Sequence, residues 1–242
     1  MASFALAVLP DTQFYSRYAT VDENTQFQRM YGSTPYLAQT EWIARHAADY
    51  KIPFAIHLGD IVDQQGKPAQ WEIADAAMQV LEDAEVPYSI LAGNHDVIRD
   101  VDYVNAGSQS TDTDAQRTLA NEPYLKWFPT TRSARQATFG GRDSSGFHEF
   151  HIFEAEGQSF LVLSLSWRVS DAGLDWARQV LAQHPTLPAI LVNHQLLNIA
   201  SDGTSPLEVP YGLMLWDRLI KDNDQIFMTL NGHYHGASRL TK

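Results

Sequence analysis

Aspartate, asparagine, glutamine and histidine recur in this chain where short apolar runs end. Asp11 and Gln13 follow the run 5–9, Asp60 and Asp63 follow 54–58, and Asn94, His95 and Asp96 follow 88–91. Further on, Asn193 and His194 follow 190–192, and His233, Tyr234 and His235 follow 226–230. Carboxylates, imidazoles and amide oxygens are the donors that hold divalent cations when no thiolate is on offer, and the sequence contains no cysteine. Taken singly, each residue has an ordinary explanation: an aspartate caps a helix, an asparagine closes a turn, a histidine sits hydrogen-bonded beside a core. Five clusters of one chemistry, each at the end of such a run, fit a metal site far better than five separate accidents. Gly59, Gly93 and Gly232 stand at the same places, where a chain must turn sharply and let its backbone approach an ion or a phosphate.

The elements that must position these residues are legible in the same pattern. The runs 5–9, 54–58, 88–91, 161–165, 190–192 and 226–230 are short, apolar and bounded by polar or turn residues, which predicts buried strands. Between them, Trp71, Ala74, Met78 and Leu81, and again Leu174, Ala177, Val180 and Leu181, recur at helical spacing. Alternating strands and helices predict a layered α/β fold, and the carboxyl ends of strands in such sheets converge on one crevice. At 242 residues and 44% hydrophobic content, the chain is expected to form one domain over 1–242. The stretch 97–146 departs from the rhythm, being rich in Ser, Thr, Asp, Gln and Gly around the aromatics Tyr124, Trp127 and Phe128, and reads as a long, partly ordered insertion beside the site.

With these residues in order, GDIVD at 59–63, GNHD at 93–96, NH at 193–194 and GHYH at 232–235, the chain resembles the calcineurin-like metallophosphoesterases over nearly its whole length. The resemblance implies a four-layer α/β/β/α sandwich and the hydrolysis of phosphate monoesters or diesters with two divalent metal ions. It implies that Asp60 bridges the ions, that Asp11, Gln13 and His235 complete one position, and that Asn94, His194 and His233 complete the other. A hydroxide held between ions about 3.5 to 4 Å apart would be the nucleophile. His95 matches the family's catalytic histidine and Asp63 the carboxylate that pairs with it as a general acid; Asp96 is expected to play a supporting structural part.

Two departures from the family pattern carry information. The first motif is usually Asp-x-His, and here Gln13 puts a harder amide ligand in place of the imidazole, which favours Mn²⁺ or Mg²⁺ over Zn²⁺ or Fe²⁺. No tyrosine occupies that ligand position, against the ferric purple acid phosphatase variety. Second, Gln64 follows Asp63 where the protein phosphatase branch carries a phosphate-gripping arginine, so phosphoprotein substrates are disfavoured. Arg99, Arg132 and Arg142 lie in or near the insertion and have the chemistry to bind phosphate oxygens, but lone arginines there read as solvated surface residues and stay outside the site. His46, His57, His148, His151 and His184 match no ligand position and read as structural, as do Trp167 and Trp216 as packing residues.

A formal charge of −12, from 29 acidic against 17 basic residues, argues against extended nucleic-acid binding and leaves a small phosphate ester as the expected partner. The run at 4–9 is too short to cross a bilayer, so no membrane insertion is expected. Oligomeric state is not readable. A nuclease and a catalytically silent binding scaffold, with Gln13 marking a decaying site, stay open as rivals; metal content separates the latter. The start Pro10-Asp11-Thr12-Gln13 resembles secreted bacterial branches of the family, so an exported, secreted or periplasmic parent with its leader removed is expected, with a cytoplasmic one as the alternative, since zero cysteines and an acidic surface suit both. The end at Lys242, close behind His235, suggests a truncated C-terminus, with strands that usually follow left out.

Overall fold

The computed structural model describes residues 3–98 and 112–242. The strands are β1 (Ala7–Leu9), β2 (Ala55–His57), β3 (Tyr88–Ser89), β4 (Phe139–Arg142), β5 (Glu149–Ala155), β6 (Gln158–Leu165), β7 (Ala189–Asn193), β8 (Leu197–Ile199), β9 (Pro206–Glu208) and β10 (Ile226–Leu230). The α-helices are α1 (Gln13–Ala19), α2 (Gln26–Tyr31), α3 (Pro35–His46), α4 (Pro68–Asp83), α5 (Pro123–Trp127), α6 (Thr130–Ser133), α7 (Asp171–Gln183) and α8 (Pro210–Leu215). One sheet is parallel, in the order β1-β2-β3; a second runs β10-β7-β6-β5-β4, parallel from β10 to β6 and antiparallel from there to β4. A small hairpin pairs β8 with β9.

Three apolar seams order these elements into layers. Leu9, Ala55 and Tyr88 meet Tyr36 and Ile43 of α3 and Trp71, Ala74, Met78 and Leu81 of α4. Phe54, Ile56 and Leu91 meet Phe153, Val162, Ile190 and Val192 between the sheets, with Phe54 and Phe153 stacked at 5.2 Å. Leu161, Leu163, Leu165 and Leu191 meet Leu174, Ala177, Val180 and Leu181 of α7 and Leu215 of α8. Because side chains alternate across a strand, β2 and β6 each feed two seams, which is why their runs are apolar on both faces but for His57 and Ser164. The result is the four-layer α/β/β/α sandwich expected from the sequence. Both helical spacings are realised. Pro68 sits at the first position of α4, where its missing N–H is no loss, and Ser170 caps α7 by accepting the Gly173 N–H at 3.1 Å.

Part of the stretch 97–146, expected as an insertion, is described. Residues 99–111, Arg99 among them, lie outside the described residues. The rest is built into the sandwich: Tyr124 and Phe128 are buried in the first seam, and β4 forms the edge of the second sheet. The anchor is Glu149, fully buried on β5. Its carboxylate takes Arg142 at 2.7 Å, the Ser133 hydroxyl at 2.9 Å and the Ile90 N–H at 2.9 Å, so one side chain ties the insertion to both sheets.

Glu149 makes stability depend on pH. Burial alone would raise its pKa, but Arg142 and His151 outweigh it and hold the carboxyl at about 2, against 4.5 for an ordinary glutamate. A depressed pKa means the contribution, on the order of 3 kcal/mol, is complete above about pH 4.5 and is lost as pH falls toward 2. Glu149→Gln removes the charge and leaves Arg142 buried without its partner, so it should destabilise the fold at neutral pH by about 3–5 kcal/mol. The gap between wild type and variant, measured by urea unfolding, should narrow between pH 5 and 2. A gap that stays constant over that range takes Glu149 out of the acid response.

Candidate metal centre

The carboxyl ends of β1, β2, β3, β7 and β10 meet along one edge of the sandwich. The meeting is fixed by bonds between the sheets: His194 Nδ1 reaches the Leu58 carbonyl at 2.8 Å, and the Trp167 N–H donates to the Ala92 carbonyl at 2.8 Å. The loops therefore face each other across the seam, as the sequence pattern predicts.

At the centre lies Asp60, buried and held with φ 49° in the left-handed region. Its Oδ1 accepts the His95 N–H at 2.9 Å, while its Oδ2 lies 3.2 Å from His194 Nε2 and 3.3 Å from the Gln13 side-chain nitrogen. Asn94 Oδ1 is also 3.2 Å from His194 Nε2. Asp60, His194 and His233 each bring one ligand atom to within 4.8 Å of the others. Asp11 joins them from β1: its Oδ2 accepts the His233 N–H at 2.8 Å, and its Oδ1 is buried with no hydrogen-bond partner. Gly93 and Gly232 let this happen. A Cβ on Gly93 would collide with Asp60, and one on Gly232 with the Asp11 carboxylate.

The electrostatics follow from this crowding. Burial opposes ionisation of Asp60, yet His194 overcomes it and holds the carboxyl at about 2. Burial likewise opposes charging of His194, and Asp60 raises it to about 9. Asp11 is pushed up to about 6 by burial, and His233 down to about 4 by burial and by His194. Carboxylate oxygens and ring nitrogens thus converge on a space that favours positive charge. A divalent cation fits it: the donors are nitrogen and oxygen only, the Asp11 oxygen lacks any other partner, and a neutral His233 offers a lone pair. With Nδ1 engaged by Leu58, His194 presents Nε2 to the cluster, the tautomeric arrangement usual for a metal ligand.

A second group, Asp114, Asp143 and His148, also brings ligand atoms within 4.8 Å. Its atoms are already used. Ser166 donates its N–H to His148 Nδ1 at 3.1 Å, so His148 Nε2 carries the proton and donates to Asp114 at 3.2 Å. Asp114 also takes the Ser170 N–H and hydroxyl, and Asp143 the Ser145 and His148 N–H groups. This cluster is a hydrogen-bonded clasp joining the insertion to the start of α7.

Around the centre the loops are held rigidly. Asp96 is fully buried and accepts the N–H groups of Ile61, Val62 and Gly93, which locks the Asp60 loop to the Asn94 loop. That is the supporting part expected for it. His57, kept neutral with a pKa near 3 by burial, accepts the Gly59 N–H and bonds to Thr12, pinning the loops after β1 and β2. His95 turns Nδ1 to Asp63, 2.9 Å from its carbonyl and 3.3 Å from its carboxylate, and is raised to about 9 because Asp63 and Asp60 outweigh burial. Asp63 is itself fixed: Arg17 donates to its Oδ2 at 2.8 Å, and its N–H goes to Gln70 of α4 at 3.0 Å.

Of the nine site residues named from sequence, Asp11, Gln13, Asp60, Asp63, Asn94, His95, His194 and His233 come together through these contacts. His235 does not. It is exposed, two residues beyond His233, and makes no hydrogen bond or ion pair with the cluster among the described residues. Arg132 and Arg142 stay outside the site, but not as solvated surface residues: both side chains are buried, Arg132 held by Asp75 and Glu82 and Arg142 by Glu149. Sequence reasoning missed Arg17, although it stands one helical turn after Gln13 on α1 and so on the same face. It also underrated Trp167, which packs its ring against His194 at 5.6 Å and His233 at 5.1 Å and forms the wall of the site.

The chain is 30% identical over 235 residues to the uncharacterized protein YvnB of Bacillus subtilis (strain 168), covering 96% of this chain and 15% of that protein's length. Among solved structures it is similar to a dimetal phosphatase from Danio rerio, with 14% identity, a TM-score of 0.44, and 81% of this chain and 71% of that one covered. It is also similar to the purple acid phosphatase PPD1 from yellow lupin (Lupinus luteus) seeds, with 20% identity, a TM-score of 0.39, and 66% and 26% covered. A third is the NAD nucleotidase NadN of Haemophilus influenzae, with 13% identity, a TM-score of 0.40, and 82% and 36% covered. The calcineurin-like phosphoesterase model matches residues 6–237, and the chain belongs to that family.

Proposed function

We propose that this chain is a binuclear metal-dependent hydrolase of phosphate monoesters or diesters, acting on a small substrate. The observation that carries the reading is the convergence of Asp60, His194 and His233, with the His95–Asp63 pair beside them and Asp11, which accepts the His233 N–H, keeping a buried oxygen without a hydrogen-bond partner. Asp60 would be shared between the ions, with Asp11 and Gln13 toward one and Asn94, His194 and His233 toward the other. His235, exposed in this arrangement, is left outside that set. When bound, two divalent ions supply Lewis acidity toward water and phosphoryl oxygens.

The chain's own residues do the rest. Arg17 and Gln70 hold Asp63, and Asp63 holds His95 through Nδ1, so Nε2 is the nitrogen that delivers a proton to the departing oxygen as the phosphorus–oxygen bond breaks. Trp167 excludes water from one side of the imidazole pair. Gln13 and Asn94 offer amide oxygens, harder donors than imidazole, which favours Mn²⁺ or Mg²⁺.

Assaying monoesters, diesters, nucleotides and oligonucleotides with Mn²⁺, Mg²⁺, Zn²⁺ and Fe²⁺ tests the reading. Metal-dependent turnover of at least one small ester is expected; no turnover with any ion overturns it. Gln13→His is expected to tighten metal binding, more for Zn²⁺ than for Mg²⁺, because an imidazole nitrogen suits the borderline ion better than an amide oxygen. Activity need not rise with affinity. Calorimetric titration measures the two separately, and unchanged affinity for every metal removes Gln13 from the ligand set.

A further inference from the structure

Arg168 follows β6 and Trp167, the residue whose ring packs against His194 and His233. Its guanidinium lies between two aromatic faces, 4.2 Å from the Trp167 ring and 4.6 Å from the Tyr211 ring. Since the Trp167 ring in turn sits 5.1 Å from the His233 ring, the guanidinium stands no further than two ring contacts from a candidate ligand. Its charge is one of the smaller influences holding the His233 pKa down.

Three features set this arginine apart. It is a non-glycine residue at φ 57°, a left-handed conformation that costs about 1–2 kcal/mol and persists only where its surroundings enforce it. Among the described residues it makes no ion pair, although the chain carries 29 carboxylates, and its Nε is buried with no hydrogen-bond partner. Arg132 and Arg142, the other arginines packed against aromatic rings in the interior, are both held by carboxylates. Finally, Arg168 lines a cleft of about 650 Å³ with Tyr211, Ser170 and Met214, at the start of α7 and against α8. That volume lies within the range of small-ligand sites. The Tyr211 hydroxyl accepts the Val169 N–H at 2.9 Å, which fixes the cleft wall and the backbone that carries Arg168.

An aromatic sandwich keeps a guanidinium flat and leaves its edge free to donate, and the residue lines the cleft; the partner such an edge selects is a phosphate or similar oxyanion. We propose that Arg168 binds a second phosphate, carried by the leaving portion of the substrate. The favoured substrate is then a small ester bearing two phosphates on one skeleton, such as a sugar or nucleoside bisphosphate. The assignment rests on the hydrolase reading for the first phosphate and names the substrate class for it.

The test uses a pair of phosphonates that resist hydrolysis and differ by one anionic group, propane-1,3-bisphosphonate and propylphosphonate, titrated into the Mn²⁺-loaded protein by calorimetry. Wild type should bind the bisphosphonate on the order of 10- to 100-fold more tightly, the worth of a charge-assisted hydrogen bond. Arg168→Met, which keeps much of the stem between the rings, should erase that preference and leave propylphosphonate binding unchanged, and Arg168→Lys should retain part of it. Thermal melts establish that each variant is folded. Equal binding of the two phosphonates by wild type, failure to bind either, or an intact preference in folded Arg168→Met overturns the proposal. The preference lost in Arg168→Met while wild type hydrolyses no ester would leave the anion site standing and sink the hydrolase reading. Turnover with an unchanged preference would do the reverse.

Discussion

Asp60→Asn should release both ions and reduce turnover to background while the metal-free fold survives. The substitution is close to isosteric, and an asparagine oxygen can still accept the His95 N–H that Asp60 accepts now at 2.9 Å. What it cannot supply is charge. Asp60 is ionised across the working pH range, with a pKa of about 2, and it faces His194 Nε2 and Gln13 from the centre of the cluster. An amide in its place offers one neutral oxygen to a site that needs two anionic ones. Removing one partner of a buried charge pair is worth about 3–5 kcal/mol, so each affinity should fall by roughly 10²- to 10⁴-fold. Elemental analysis after dialysis reads the result. Two equivalents of metal retained at wild-type affinity would show that Asp60 bridges nothing.

The six strands predicted from apolar runs are all present, and the predicted helical stripes of α4 and α7 are the buried ones. They were legible because each run serves two seams, or one broad stripe, and so carries an unbroken physical signal. β5 was not, because its first residues include Glu149 and His151, buried polar groups whose partners are Arg142 on β4, Ser133 on α6, Thr138 just before β4 and the Ile90 N–H just after β3. A run that is stabilised by an ion pair does not look apolar. For the same reason Arg142 looked like a surface arginine. β4, with Gly140 and Gly141, and the short hairpin of β8 and β9 carry too few apolar residues for periodicity to register.

Within the site the same logic divides what could be read. Asp11, Asp60, Asn94, His194 and His233 were legible as a group because clusters of one ligand chemistry recur at five strand ends, although each residue alone has ordinary uses. Arg17 and Trp167 were not, since an arginine on a helix and a tryptophan after a strand have many. Their roles depend on what lies opposite, which only the packing of two sheets decides: Asp63 comes from the β2 loop to meet Arg17, and His194 and His233 come from β7 and β10 to meet Trp167. His235 shows the converse. Its motif is plain in the sequence, yet the turn after His233, itself at φ 69°, carries it to the surface.

His95→Ala is the sharper probe of chemistry, because it should leave the metals in place. His95 donates its backbone N–H to Asp60, a bond that alanine keeps, whereas its ring is hydrogen-bonded to Asp63. Loss of a positioned general acid costs on the order of 10²- to 10⁴-fold in rate. That loss should depend on the leaving group. An alkoxide departs poorly without a proton, so alkyl phosphates should show the full effect; a nitrophenolate departs readily, so nitrophenyl esters should show much less. Asp63→Asn should shift the same balance more mildly, since Arg17 at 2.8 Å would still orient the amide while the charge that favours a protonated ring is gone. Comparing kcat for the two ester types in wild type and both variants, with metal content measured alongside, reads the proton transfer separately from ion binding. An equal loss on alkyl and nitrophenyl esters, with both ions retained, would mean that His95 binds the phosphate and that the proton comes from another group.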